Sequence, residues 1–205
     1  MRRHNQTRDK IVKTALELFI AYGIKKTSIE DVADRCGITR ATVYRYFKDK
    51  EDLVRASFMC MAEDMHKTLE DLYAHENYDL RKLAGRIKSA VNKLPQGDIP
   101  AGVNELKLLY PDIFKEYRDA RLFNIRKIYD HAFDTAKRES LAVPSGKNPD
   151  MMPAILAEAT LYVTESPLVL SLGIPFKDIY ASLIDLMLYG IIGRRTKRRP
   201  SIPSQ

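Results

Sequence analysis

Apolar positions recur at three- and four-residue intervals along this 205-residue chain, the period of amphipathic helices, and no strand-like alternation or internal repeat interrupts them. Ile11, Ala15, Leu18, Phe19 and Tyr22 mark a helix over 7 to 22. Ile29, Val32, Ala33 and Cys36, at i, i+3, i+4 and i+7, give a second short helix one narrow apolar face. Val43 and Phe47, four apart, face inward from a third. Asp49 is placed to cap a helix entered at Lys50, which carries Leu53, Ala56, Met61 and Met65 to about residue 74. Leu80, Leu83, Ile87 and Val91 predict another over 79 to 94, broken by PQGDIP at 95 to 100. A short helix then reaches Tyr110, and Pro111, well tolerated at a first helical position, opens a long one to about residue 141. The segment VPSGKNPD, 143 to 150, reads as a loop, and final helices are predicted over 150 to 165 and 176 to 192. The pattern predicts an all-α fold of about nine helices.

The second and third helices carry the most specific chemistry. Ser28 followed three residues later by Asp31 fits a capping arrangement, with a hydroxyl accepting from an orphan helix N–H and an acid at the positive helix end. Gly37 suits a left-handed turn that brings Ile38 back to the core, and Thr39 caps the next helix. The sequence therefore encodes a helix-turn-helix. With Val43 and Phe47 turned inward, Arg40, Ala41, Thr42, Tyr44, Arg45 and Tyr46 are left for the outer face and its flanks. Arg donates two bonds to the major-groove edge of guanine, and Ala or Thr meets a thymine methyl. The two tyrosines are either phosphate or thymine-methyl contacts or core aromatics. Thr27, Ser28 and Lys50 are candidates for backbone phosphates, with the Ser28 hydroxyl serving as cap or as phosphate contact.

Charge sharpens this division. The formal net charge is +7, yet residues 1 to 50 hold 12 Lys and Arg against 6 acids, while the rest of the chain holds 22 against 21. A polyanion is drawn to the N-terminal end. Arg2, Arg3 and Arg8 could form a basic arm reaching a minor groove or a solvated one, and Arg194, Arg195, Lys197, Arg198 and Arg199 read as a solvated C-terminal tail. Only Cys36 and Cys60 occur, no apolar run approaches a membrane span, and the first ten residues lack the apolar stretch of a signal peptide. A cytoplasmic protein is expected, nucleoid-associated when bound to DNA and with no membrane partner. His4, His66, His75 and His131 show no metal-ligand spacing, and neither a phosphate-binding glycine loop nor a GxSxG nucleophile motif occurs. No catalytic residue, metal or cofactor is expected, and an all-helical enzyme is the distant alternative.

Across residues 5 to 57 the chain resembles the DNA-binding domain of the tetracycline-repressor (TetR) family of bacterial transcriptional regulators. The matching residues are Ile11, Ala15, Leu18, Phe19 and Gly23, then Thr27, Ser28, Ile29, Asp31, Val32, Ala33, Gly37 and Ile38, then Thr42, Val43, Tyr44, Tyr46, Phe47, Lys50, Leu53 and Ala56. The resemblance implies a three-helix DNA-binding domain over 1–50 and a helical effector-binding and dimerisation domain over 51–205. It implies a homodimer reading a palindromic operator in double-stranded DNA. On the last two helices Met152, Ile155, Leu156, Ala159, Tyr162 and Val163, with Ile179, Leu183, Leu186, Met187 and Gly190, form apolar faces that serve either the dimer or an intramolecular core. A small, largely apolar effector is implied inside the second domain, with Phe58, Met61, Met65, Tyr110, Phe114, Tyr117, Phe123 and Tyr162 as candidate lining. The expected function is a sequence-specific regulator, a repressor released from its operator by that effector. Control by a protein partner, or an activating role, is the alternative.

Overall fold

The computed structural model describes residues 2–73, 80–139 and 151–191, with side chains over 6–70, 82–139 and 151–186. The described residues form ten helices: α1 (Arg2–Tyr22), α2 (Ile29–Cys36), α3 (Arg40–Tyr44), α4 (Lys50–Tyr73), α5 (Leu80–Asn92), α6 (Ile99–Leu109), α7 (Pro111–Arg138), α8 (Met152–Glu165), α9 (Pro167–Leu170) and α10 (Phe176–Ile191). The chain is all-α, with one helix more than the periodicity predicts. That helix is α9, a single turn opened by Pro167 after the extended Ser166, too short to show a period. The 143–150 loop and the C-terminal basic run lie outside the described residues.

Most helix ends follow from local chemistry. Asp49 Oδ1 accepts from the Asp52 N–H at 2.8 Å and caps α4, while Asp52 Oδ2 accepts from the Lys48 N–H at 3.0 Å, one residue before the cap. Asp98 caps α6 by accepting from the Ala101 N–H at 3.0 Å, so Ile99 and Pro100 lie inside the helix and not in the break. α1 begins earlier than its apolar pattern requires, and Arg2, Arg3 and Arg8 are helical residues instead of an arm ahead of the helix. Its buried stripe also runs differently: Val12, Leu16 and Ile20 join Ile11, Ala15 and Phe19, while Tyr22 is exposed.

Two apolar cores result. The first joins α1, α2, α3 and the start of α4 to Ile99, Val103 and Leu106 of α6 and Ile113 and Tyr117 of α7. The second gathers α5, the rest of α7, Ala157 and Leu161 of α8, and Ile184 of α10. No core boundary falls at residue 50, because Leu53, Val54, Phe58, Met61 and Ala62 of α4 belong to the first core and Leu69 to the second. α4 is thus a rod shared by both. Each fully buried side chain of this size, such as Phe58, contributes about 2 to 3 kcal/mol.

Candidate functional site

The helix-turn-helix is assembled by bonds between near neighbours. The Ser28 hydroxyl accepts from the Asp31 N–H at 3.1 Å while Asp31 Oδ2 accepts from the Ser28 N–H at 2.7 Å, a complete capping box. These bonds to Ser28, backbone first and hydroxyl second, hold the Asp31 carboxyl below the usual carboxylate range. Ile29, Val32, Ala33 and Cys36 are all buried. Gly37 adopts φ 68°, and Lys10 Nζ donates to the Cys36 carbonyl at 2.8 Å, closing the C-terminal end of α2. Thr39 Oγ1 accepts from the Thr42 N–H at 3.2 Å and starts α3. Ser28→Ala is expected to cost about 1 kcal/mol of stability, read from the urea midpoint at unchanged slope. A midpoint that does not move would remove the box from the account.

α3 is shorter than its sequence pattern suggests. It ends at Tyr44, and the N–H groups of Tyr46 and Phe47 both donate to the Val43 carbonyl, at 2.9 and 3.0 Å, so a tight turn delivers Phe47 to the core. Val43 and Phe47 are buried, with the Arg8 guanidinium over the Phe47 ring at 5.4 Å. Arg40, Ala41, Tyr44 and Arg45 are exposed and Thr42 is half-buried. Arg40 is braced across one helical turn, its guanidinium donating to the Tyr44 hydroxyl at 3.2 Å and lying 5.4 Å from the ring centroid. The hydrogen bond to Tyr44 raises the Arg40 pKa above its ordinary value. Arg45, at the C-cap of α3, is a second exposed cation. Tyr46 lies half-buried against the first core, nearer the core-aromatic alternative than the phosphate one.

Two of the phosphate candidates sit otherwise than the sequence suggests. Thr27 is buried, its hydroxyl donating to the Gly23 carbonyl at 2.8 Å, so that side chain closes the α1–α2 turn and does not reach the surface. Lys50 is half-buried and donates to the Ile24 carbonyl at 2.6 Å, and burial pushes its ammonium pKa down. Ser28 stays exposed.

Beyond the helix-turn-helix lies a groove of about 670 Å³ between α6, α7 and the α8–α10 corner. Pro100, Val103, Asn104 and Lys107 of α6 form one wall, with Phe114 and Arg121 of α7 facing Thr164, Glu165 and Phe176. A smaller inner cavity of about 60 Å³ is lined by Met61, Met65, Ile87, Tyr117, Asn124 and Tyr180, among others, and shares Ile99, Arg121 and Phe176 with the groove. Of the predicted lining, Met61, Met65 and Tyr117 meet the inner cavity and Phe114 meets the groove. Phe58 and Tyr110 pack in the first core, Phe58 edge-on to Tyr117 at 5.6 Å. Phe123 and Tyr162 point outward and are exposed, a correction: aromatic spacing shows that a face exists but not which face the core takes.

Arg121 was not among the predicted residues. Its side chain is only 11% exposed. It donates to Glu165 Oε1 at 3.0 Å and to the Thr164 and Tyr180 hydroxyls at 3.1 Å each, and its guanidinium carbon lies 5.6 Å from the Tyr117 ring centroid. Burial acts to lower its pKa, but Tyr180, Tyr117 and Glu165 outweigh that and keep it charged. Burial pushes Tyr117 up to about 12, so both groups hold fixed protonation states at neutral pH. A signal for Arg121 did exist, since it lies on the stripe of Ile113, Tyr117, Ile125 and Ala132. A charge on an apolar face needs a buried partner.

The predicted dimer residues divide. α8 buries Pro153, Ala157, Thr160, Leu161 and Thr164, leaving Ile155, Ala159 and Tyr162 exposed on the other side and Met152, Leu156 and Val163 at its borders. On α10 Leu186 is exposed and Leu183 half-buried, whereas Ile179 is buried within the fold and is withdrawn from the outer face. The side chain of Met187 lies outside the described residues. Among the described residues no helix is long and apolar enough to cross a membrane, and no group of three or more His, Cys, Asp or Glu is placed to hold a metal ion.

Residues 11–57 match the family model of bacterial regulatory proteins, tetR family. The chain is 29% identical over 98 residues to the HTH-type transcriptional regulator TcmR of Streptomyces glaucescens, covering 48% of this chain and 43% of that protein. It is 44% identical over 48 residues to AcrR of Shigella flexneri, covering 23% of this chain and 22% of that protein. The chain thus spans less than half the length of the curated relatives it matches. A solved tetR transcriptional regulator from Chloroflexus aurantiacus superposes with a TM-score of 0.62 over 93% of this chain and 98% of that one, at 20% identity, which speaks to the fold alone. Joined to the helix-turn-helix geometry, the match identifies residues 11–57 as a DNA-binding domain of the kind carried by bacterial regulatory proteins of the tetR family.

Proposed function

We propose that the chain is a homodimeric transcriptional repressor that reads a palindromic operator and is released from it by a small molecule held in the groove beside Arg121. The observation that carries the DNA-reading part is the outer edge of α3. There Arg40 and Arg45 stand exposed while Val43 and Phe47 anchor the helix from behind. Bracing by Tyr44 limits the rotamers of Arg40, so less entropy is lost when it donates to a guanine edge. The volume of the groove, about 670 Å³, lies in the range of small-molecule sites. The exposed faces of α8 and α10 support pairing with a second copy, which would present two α3 helices at a spacing of about one DNA turn, roughly 34 Å, or a multiple of it.

DNA selected from a random pool by the intact protein supplies the operator for the test. Arg40→Ala or Arg45→Ala is expected to weaken that site by about 1 to 3 kcal/mol and to relax base preference locally. Fluorescence anisotropy on selected and scrambled duplexes separates the cases. Equal losses on both would mean that these side chains bind phosphate and read no base.

A further inference from the structure

α6 carries two different faces. Pro100, Val103, Asn104 and Lys107, at i, i+3, i+4 and i+7, line the groove. Glu105 lies about 200° around the helix from Val103 and Lys107, at roughly 100° per residue, and faces the helix-turn-helix. Its two carboxylate oxygens take separate backbone donors: Oε2 accepts from the Ile24 N–H at 2.6 Å, and Oε1 accepts from the Lys25 N–H at 2.9 Å. A second side chain holds the same short turn: Lys50 Nζ donates to the Ile24 carbonyl at 2.6 Å, within electrostatic reach of the Glu105 carboxylate.

The approach depends on absent side chains. Gly23 has φ +92°, and a Cβ there would stand 2.8 Å from Glu105 Oε2. A Cβ on Gly102 would stand 2.7 Å from Ile20 Cδ1, and one on Gly97, at φ +124°, would stand 3.0 Å from the Ile20 carbonyl oxygen. α6 therefore meets the end of α1 with little compressible side chain between them. The turn is itself closed, since both the N–H and the hydroxyl of Thr27 bond back to the Gly23 carbonyl, at 3.2 and 2.8 Å. α2 begins two residues later, so a displaced turn carries α2, and α3 behind it, along with it.

We propose that Glu105 is a positioning residue that transmits occupancy of the groove to the helix-turn-helix. An occupant pressing on the Val103–Asn104–Lys107 face displaces α6, and the Glu105 carboxylate moves the Gly23–Lys25 turn with it. The proposal rests on the groove being the effector site. Two states that differ in this contact are what an occupant needs in order to change DNA affinity.

A fixed occupant replaces the unidentified molecule in the test. Asn104→Trp places an indole on the groove wall, and operator affinity is measured for the wild type, Asn104→Trp, Glu105→Ala and the double variant. The expected result is a loss of about tenfold from Asn104→Trp in the wild-type background and less than about twofold in the Glu105→Ala background, within the usual range of allosteric coupling. A merely structural Glu105 would give the same loss in both backgrounds and overturn the proposal, as would an Asn104→Trp protein that binds like the wild type. Amide exchange gives a second readout: Glu105→Ala must speed exchange at Ile24 and Lys25 relative to the α2 amides, and unchanged protection there overturns the clamp. A wild-type chain that selects no DNA from the pool would instead overturn the proposed function, and this proposal with it.

Discussion

Arg121→Met is expected to lower the stability of the protein by about 3 kcal/mol, because it leaves Glu165 without its closest cation and two hydroxyls without a donor. For a chain of this size that corresponds to a fall of about 6 to 12 °C in Tm, measured by circular dichroism. The figure sits at the low end for a broken buried pair, since Arg118 still stands 3.6 Å from Glu165 and Glu165 is 24% exposed. The double change Arg121→Met with Glu165→Gln should recover much of the loss. Removing both partners of a buried pair is often close to neutral, whereas removing one is not. Arg121→Lys keeps the charge but not the three-way fork, and should fall between. A Tm shift below about 2 °C for Arg121→Met would show that the guanidinium is solvated and that α7, α8 and α10 meet without it.

This hub and the helix-turn-helix differ in how far they could be read from the residues alone. The capping box, the glycine turn and the inward Val43–Phe47 pair are local, with every partner within a few positions, and their spacing encodes them directly. Arg121 sits on a stripe that periodicity marks as buried, but its partners Thr164, Glu165 and Tyr180 lie 43 to 59 positions away. Such pairings depend on how helices cross. Glu105 is farther from its targets, 80 and 81 positions, and nothing in its own helix distinguishes it from a solvated acid. The misplacements have the same origin. Phe123, Tyr162 and Ile179 each lie on a helix with apolar residues on more than one side, and periodicity there cannot say which side the core takes. Thr27 shows the reverse: a polar side chain beside the caps looks like surface, yet the Gly23 carbonyl behind it offers an acceptor and draws it in.

The remaining outer side of α8 gives the largest expected effect on function. Ile155 and Tyr162 are 52% and 75% exposed, and Leu186 on α10 is 69% exposed, apolar side chains that a second copy would cover. If the proposed dimer pairs through this side, Ile155→Glu with Tyr162→Glu is expected to give a monomer in sedimentation or light scattering where the wild type gives a dimer. The helices and the Tm of the monomer should persist, because α8 buries its opposite side through Ala157 and Leu161. Binding to a palindromic duplex should then fall by about 10² to 10⁴-fold, the advantage lost when two linked recognition helices become independent. Binding to a single half-site should barely change, since α3 and its arginines are untouched. That contrast separates assembly from recognition. If the charged variant remained a dimer, the pairing surface would lie elsewhere, and these apolar side chains would need another partner. If it became a monomer but kept its affinity for the palindrome, one α3 helix would suffice for the operator and the twofold reading of the protein would be wrong.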